Sequence, residues 1–186
     1  LDEILDLSAL ERGERVWENR PIDAEEALDQ AVHVCDALAR QSGTTMRMGP
    51  RAETALVSAD PDRLGQVLIN LISNAIKYNG ASQPKVTVRS RIEGRNYVVE
   101  VADNGVGIPE EERPRIFEKF YRGRLGESAP YAGAGLGLPI SREIVTRMKG
   151  RLELVGGLER GACFRVTLPL SPERETAPHD RVGTPA

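Results

Sequence analysis

One segment of the chain places a row of polar side chains beside an apolar stripe. Over residues 62–78, apolar residues repeat at helical spacing, and four polar residues share the neighbouring face at steps of three, four and seven: Asn70, Asn74, Lys77 and Tyr78. They span roughly 12 Å of helix axis. Amide oxygens can bind magnesium and an ammonium can meet phosphate, so the row predicts a site for an anionic ligand with a metal and an aromatic base. A solvated helix face is the alternative.

A second candidate is D-N-G-V-G-I, residues 103–108, which directly follows a strand pattern. Asp103 offers a carboxylate acceptor at the strand end. Gly105 and Gly107 let a flat ring approach the backbone closely, because glycine has no side chain in the way. The segment is therefore a candidate acceptor for an exocyclic amine, with an ordinary Asp-Gly turn as the alternative.

A third candidate is G-A-G-L-G-L, residues 133–138, which opens a helix predicted to begin near Pro139. Backbone N–H groups at a helix N-terminus, unshielded because of glycine, form an anion site. The segment lacks the Gly-Lys-Ser/Thr ending of a P-loop and the preceding strand of a dinucleotide fingerprint. By itself it therefore predicts only an anion site.

Three aromatic residues cluster in F-E-K-F-Y-R, residues 117–122, in a chain that is only 4% aromatic. Phe117 and Phe120 are predicted to anchor a segment whose far part moves. The glycine-containing stretch 123–132 is then the candidate lid. A small aromatic cluster that merely pins a loop is compatible with the same pattern.

Helical patterns must position these segments. The residues at 1–12 resemble the last turns of an amphipathic helix, and Asp23 is a plausible N-cap for a helix over about 24–40. Asp60-Pro61-Asp62 starts the helix that carries the polar row. A further helix is predicted over about 139–149, with Gly150 at its C′ position.

Strands are predicted around 44–48 and 55–59, as a hairpin at 85–92 and 96–102, and near 151–155 and 162–169. Periodicity is mostly absent between Asp103 and Gly137, apart from one short helical insert near 110–120. Loops of this length inside a compact domain are usually functional or disordered. The tail from Ser171, rich in proline and charge, is expected to be disordered.

Composition excludes several classes of protein. The chain has 186 residues, 40% of them hydrophobic, and a formal net charge of −3, which fits one globular domain. Its apolar runs are far below the ~20 residues of a membrane-spanning helix, so no membrane contact is expected. It has no long basic patch for nucleic acid. Cys35 and Cys163 are predicted to be free thiols in a reducing cytosol. A first residue of Leu1 suggests a piece of a longer protein.

The order of these motifs closely resembles that of the catalytic ATP-binding domain of sensor histidine kinases, in the GHKL superfamily. The segments correspond to the family's N box, first glycine box, F box and second glycine box. The resemblance implies the Bergerat fold, an α/β two-layer sandwich in which helices cover one face of a mixed sheet. It also implies that 1–19 end a dimerisation and phosphotransfer helix with its linker, that 20–170 form the catalytic domain, and that 171–186 are a disordered tail.

The resemblance also implies roles for individual residues, with ATP and Mg²⁺ as cofactors. Asn74 matches the asparagine that binds magnesium, and Asn70 assists at the metal and the phosphates. Asn70 and Arg122 are the expected catalytic residues, Arg122 because it matches a residue that helps place the transferred phosphoryl. The expected nucleotide contacts are Asn74, Lys77, Tyr78, Asp103, Gly105, Gly107, Ile108, Phe120, Gly133, Gly135, Leu136, Gly137 and Leu138.

The residue type at position 70 bears on the reaction. ATPases of the superfamily carry a water-activating Glu four residues before the metal-binding Asn, whereas an amide such as Asn70 has no basicity near neutral pH. A kinase that transfers phosphate to a histidine on another domain is therefore expected. His33 and His179 do not match the acceptor pattern and are interpreted as incidental.

The implied partners are the dimerisation domain of a homodimeric parent kinase and a response regulator. The expected location is cytoplasmic, with anchoring of the parent in the inner membrane left open. The alternatives are a regulatory nucleotide-binding module without phosphotransfer and a GHKL-type ATPase.

Overall fold

The structure is a computed structural model that describes residues 17–123, 134–156 and 160–172. Three helices and seven strands lie in these residues, and their bounds are close to those predicted for most elements. In chain order they are β1 (Arg20–Asp23), α1 (Ala24–Gln41), β2 (Thr45–Met48), β3 (Leu56–Ala59), α2 (Pro61–Lys77), β4 (Lys85–Glu93), β5 (Asn96–Asp103), α3 (Gly137–Arg147), β6 (Arg151–Leu154) and β7 (Cys163–Pro169).

The main sheet has five strands in the order β2-β4-β5-β7-β6. β2 runs parallel to β4 and the other neighbours are antiparallel, which confirms the mixed sheet. The predicted hairpin is β4–β5, in which Val88 pairs with Val101. A separate two-stranded sheet pairs β1 with β3. β1 is not among the predicted strands, because a four-residue strand with Ile22 as its one aliphatic residue shows no periodicity.

The helices pack on one face of the main sheet. That face presents buried apolar residues, including Val88, Val101 and Val166, which join the core with the helices. The other face carries charge at its centre, where buried Glu100 accepts hydrogen bonds from Arg89 and Arg165. Burial raises the pKa of the Glu100 carboxyl, but the bonds from Arg165 and Arg89 outweigh it and hold that pKa below its ordinary value. Arginine side chains therefore cover the sheet where no helix does.

Aspartates begin the two long helices, as the sequence predicts. The Asp60 carboxylate accepts hydrogen bonds from the backbone N–H groups of Asp62 and Arg63 at 3.1 and 3.2 Å. The Asp23 carboxylate accepts from the N–H groups of Glu25 and Ala55 at 3.0 and 3.1 Å. Each side chain satisfies donors that the first helical turn leaves unpaired. The cap of α1 also holds the segment before β3 in place.

Two local predictions are wrong. Residues 110–120 form successive turns rather than a helix, because Pro114 has no N–H and interrupts the helical hydrogen-bond pattern. At the end of α3 the C′ residue is Lys149, with a φ of 59°, and not Gly150. The N–H groups of Lys149 and Gly150 donate to the carbonyls of Thr146 and Val145, a Schellman motif one residue earlier than predicted.

Cys35 and Cys163 are free and buried, in agreement with the predicted thiols, and burial raises the pKa of both. The described helices include no segment long and apolar enough to cross a membrane.

A buried carboxylate ties α1 to the sheet. Glu25 is 6% exposed, and its Oε1 accepts from the hydroxyls of Ser90 at 2.5 Å and Tyr97 at 2.7 Å. Its Oε2 accepts from the guanidinium of Arg51 at 2.6 Å. Burial raises the pKa of the Tyr97 phenol, and the hydrogen bond to Glu25 raises it further. One side chain thus satisfies two buried hydroxyls and one cation.

We expect Glu25→Ala to lower the free energy of unfolding by about 3–5 kcal/mol, because it leaves a buried cluster of donors without its acceptor. Glu26→Ala is the matched control, since Glu26 is the exposed neighbour in the same helical turn. We expect Glu26→Ala to cost no more than about 1 kcal/mol. Chemical denaturation of both variants measures the difference, and equal losses would contradict the role of the buried network.

Candidate functional site

A cavity of about 1230 Å³ lies between α2, the segment after β5 and the start of α3. It collects residues from all four sequence motifs. The predicted site residues that line it are Asn70, Asn74, Lys77, Tyr78, Asp103, Gly107, Ile108, Arg122, Gly135, Gly137 and Leu138. Segments separated by more than 30 residues in sequence therefore meet around one space.

Three other predicted residues do not line this cavity. Gly105 lines a smaller cavity behind it, Leu136 is fully buried in the core, and Phe120 is 63% exposed. Gly133 and most of the predicted lid lie outside the described residues. Phe117 packs edge-to-face on Phe164, with ring centroids 6.4 Å apart, as expected of an anchor. Phe120 does not anchor the segment by burial, so that expectation is wrong.

The apolar stripe of α2 decides where the two asparagines lie. Leu64, Val67 and Leu71 are at most 1% exposed, and their burial sets the rotation of the helix about its axis. Asn70 and Asn74 then line the cavity one turn apart, and the Asn74 Nδ2 group donates to Asn70 Oδ1 at 3.4 Å. The two amides are thereby ordered relative to each other.

The chemistry of these amides fits a hard divalent cation. Amide oxygens are suitable ligands for Mg²⁺, which usually keeps water and ligand phosphate oxygens in its remaining positions. Within residues 17–123, 134–156 and 160–172, no group of three or more His, Cys, Asp or Glu side chains is placed to hold a metal. A cation bound beside these amides would be held by an amide oxygen together with oxygens of the ligand.

Asp103 ends β5 with its carboxylate clamped by the backbone. Its Oδ1 accepts from the N–H groups of Gly105 at 2.8 Å and Ala162 at 3.3 Å. Burial raises the pKa of this carboxyl, and the two backbone hydrogen bonds oppose that rise. Because the clamp engages one oxygen, the second oxygen is the acceptor that Asp103 can offer to a donor on a ligand.

The clamp depends on backbone segments that approach one another very closely. A β-carbon on Gly105 would overlap the carbonyl oxygen of Asn79, and one on Gly161 would overlap the carbonyl oxygen of Asp103. Asn79 is itself 2% exposed, and its side chain donates to the carbonyl of Lys85 at 3.2 Å. Sequence reasoning missed Asn79, Gly161 and Ala162. An Asn-Gly pair such as Asn79-Gly80 is a common turn signal, but nothing in the sequence shows that this turn packs on Gly105.

The end of the F box lies against the second glycine box. The Phe120 N–H donates to the carbonyl of Gly135 at 3.0 Å, and Phe120 adopts a φ of 64° to reach it. Gly135 has a φ of 69°, a backbone conformation that favours glycine. The cavity is lined at this edge by Gly123 and Ala134. Most of the predicted lid falls between these two residues in sequence.

The cavity also extends beyond the motifs. Along the outer side of α2 it reaches β1 and α1, where Ile22, Ala27 and Val34 line it. Sequence reasoning assigned no site role to these residues, because Ala27 belongs to the apolar side predicted for this helix, Val34 lies outside that side, and Ile22 lies in a segment without periodicity. The motif residues therefore occupy one part of a longer groove.

The comparisons with known proteins agree with this geometry. Residues 59–172 match the profile of the family described as histidine kinase-, DNA gyrase B-, and HSP90-like ATPase. The chain is 33% identical to the circadian input-output histidine kinase CikA of Synechococcus elongatus over 91% of its own length, but it spans only 22% of that relative.

Two solved structures are also similar. Full-length ShkA in complex with AMPPNP has a TM-score of 0.77 and 29% identity, covering 91% of this chain and 35% of ShkA. Histidine kinase ThkA in complex with the response regulator TrrA has a TM-score of 0.70 and 26% identity, covering 93% of this chain and 50% of the ThkA chain.

The matched profile covers more than half of the chain, so the protein belongs to the family of histidine kinase-, DNA gyrase B- and HSP90-like ATPases. Its fold and its similarity to histidine kinases assign it to a narrower class within that family. The chain is an ATP-binding catalytic domain of the histidine-kinase type.

We expect Gly105→Ala to lower the free energy of unfolding by about 1–3 kcal/mol, because the added methyl group has no space against the Asn79 carbonyl. Gly65→Ala in α2 is the matched control, since a β-carbon there meets nothing within 4 Å. Replacing glycine inside a helix should instead stabilise the protein by about 0.5–1 kcal/mol. Thermal unfolding of the two variants measures both effects, and a neutral Gly105→Ala would contradict the close approach.

Proposed function

We propose that this domain binds Mg-ATP in the cavity, beneath a lid, and positions the γ-phosphoryl for transfer to a histidine on another domain. The observation that carries the proposal is the convergence of Asp103, Asn74 and the N-terminus of α3 on one cavity. These groups supply an acceptor for a base, an amide for a cation and backbone donors for phosphate. The chain contains a matching group for each part of Mg-ATP.

The base would bind at the end of β5. The second oxygen of the Asp103 carboxylate accepts from the exocyclic amine of adenine, and Gly107 lines the cavity beside it. Ile108 lines the same part of the cavity and offers an apolar surface to the ring. Tyr78, at the end of α2, flanks the nucleotide.

The phosphates would bind between α2 and α3. Among the residues that the structure describes, no side chain caps the start of α3, where Leu136 occupies the N-cap position. The first backbone donors of α3 are therefore those of Gly137 and Leu138, because Pro139 has no N–H. Lys77 adds positive charge on the opposite wall. Asn74, with Asn70 beside it, would hold Mg²⁺, which neutralises phosphate charge when bound.

The reaction would be transfer rather than hydrolysis. Asn70 lies where an ATPase of this superfamily has its water-activating Glu, and an amide cannot remove a proton from water near neutral pH. The chain would thus contribute positioning and charge neutralisation, with Arg122 helping to place the phosphoryl group. The nucleophile would come from the histidine-bearing dimerisation domain of a homodimeric parent. The complex of ThkA with TrrA supports a response regulator as the downstream partner.

Two variants should separate the recognition of the base from that of the phosphates. Asp103→Asn should weaken adenosine and ATP alike by about 10-fold or more, because it replaces a charged acceptor. Lys77→Ala should weaken ATP and leave adenosine almost unchanged, because Lys77 meets only the phosphates. Calorimetric titration of both ligands measures the four affinities.

Asp36→Asn is the matched control for Asp103→Asn, since Asp36 lies on α1 in a solvent-exposed ion pair with Arg40.

In the unaltered chain, adenosine binding should weaken as the pH falls toward the raised pKa of Asp103, because the ionised carboxylate is the stronger acceptor. This dependence should disappear in Asp103→Asn. Undiminished ATP affinity in Asp103→Asn would rule out the assignment of the base site, and equal losses for both ligands in Lys77→Ala would rule out its phosphate role.

The activity itself can be tested by mixing the chain with Mg-ATP and a separately produced dimerisation domain of a sensor histidine kinase. We expect acid-labile phosphohistidine on the added domain, because this chain supplies only the ATP half of the reaction. Free phosphate without phosphohistidine would instead identify an ATPase. Nucleotide binding with neither product would identify a regulatory module.

A further inference from the structure

We propose that Ser141 is a positioning residue, which holds the amide of Asn70 in place beside Asn74 and thereby supports the amide oxygen that Asn74 offers to a cation. The inference rests on the proposed function, because it concerns magnesium bound with the nucleotide. Ser141 lies outside the four sequence motifs and was not among the predicted site residues.

Ser141 connects the two helices on either side of the proposed phosphate site. Its side chain is on α3, one turn after Gly137, and the residue is 1% exposed. The Asn70 Nδ2 group on α2 donates to Ser141 Oγ at 2.9 Å, across 71 residues of sequence. A hydroxyl this deeply buried is retained at little cost only when it is hydrogen-bonded.

The hydrogen bonds run in one direction along the three side chains. Asn74 Nδ2 donates to Asn70 Oδ1, and Asn70 Nδ2 donates to Ser141 Oγ. Since Asn74 uses its amide nitrogen in this relay, its amide oxygen is the atom available to a metal. The opposite direction would engage the Asn74 oxygen instead. In the observed arrangement the Ser141 hydroxyl is the acceptor, and it holds the Asn70 amide that Asn74 contacts.

Close packing restricts the amide of Asn70 further. A β-carbon on Gly137 would overlap Asn70 Oδ1, so the start of α3 lies directly against this amide. The Asn70 amide nitrogen is therefore held by its hydrogen bond to Ser141, and the Asn70 amide oxygen packs against Gly137. Removal of the Ser141 hydroxyl would leave the Asn70 nitrogen without its partner in a part-buried position.

The test is the Mg²⁺ dependence of AMPPNP binding, measured by calorimetry. We expect Ser141→Ala to raise the Mg²⁺ concentration needed for half-maximal binding about three- to tenfold, the range expected for one neutral hydrogen bond. Adenosine binding without Mg²⁺ should stay unchanged, and so should the unfolding midpoint to within a few degrees. Thr146→Ala is the matched control, because it removes another α3 hydroxyl, one that donates to the Arg142 carbonyl on the exposed side.

A double-mutant cycle tests whether Ser141 acts through Asn70. In an Asn70→Ala background, Ser141→Ala should cause no further change in the Mg²⁺ dependence, because the hydroxyl has lost the group that it positions. An undiminished effect in that background would overturn the inference. Equal weakening of AMPPNP and adenosine by Ser141→Ala would also overturn it, because that result indicates a general packing role.

The two proposals can fail separately. If the unaltered chain binds no AMPPNP at any Mg²⁺ concentration, the proposed function fails and this inference fails with it. If the unaltered chain binds AMPPNP with Mg²⁺ and Ser141→Ala shows the same Mg²⁺ dependence, this inference alone is wrong.

Discussion

The packing of helix α2 is the constraint on which the rest of the site depends. α2 contacts α1, α3 and the central strands β4 and β5, and its buried residues include Leu64, Leu68 and Ile72. Moving any of these side chains into solvent would cost about 1.5–3 kcal/mol, so the helix has one favourable rotation. In that rotation Asn70 and Asn74 line the cavity. The core therefore determines the direction of the polar face.

The opposite end of the site relies on backbone hydrogen bonds rather than on apolar packing. Asp103 is held by the N–H groups of Gly105 and Ala162, which come from two different turns at the end of the sheet. Such bonds are directional, and they hold only if those turns lie within contact distance of each other. Glycine at positions 105 and 161 makes that distance accessible. A substitution in either turn thus affects the carboxylate without touching the ligand.

The sequence predicted the parts of the fold in which periodicity and local signals agree. α1 and α2 combine an apolar stripe with an aspartate cap, so their bounds were predicted to within a residue. The prediction of a helix near 110–120 is wrong, because Pro114 lacks the N–H that a helix interior needs. In the site, the motif residues were found by their local spacing. Ser141 and Ala162 were missed because each gains its role from a partner 59 or more residues away.

The residue type at position 70 follows from the same geometry. A carboxylate there could accept a proton from water, and it would have to accept a hydrogen bond from the Ser141 hydroxyl rather than donate one, since an ionised side chain has no hydrogen to give. The amide of Asn70 both accepts from Asn74 and donates to Ser141, so it joins the two helices that enclose the proposed phosphate site. One substitution would therefore change the chemistry and the support of the site together. Asn70, whose amide is not basic near neutral pH, is thus also the residue that links α2 to α3.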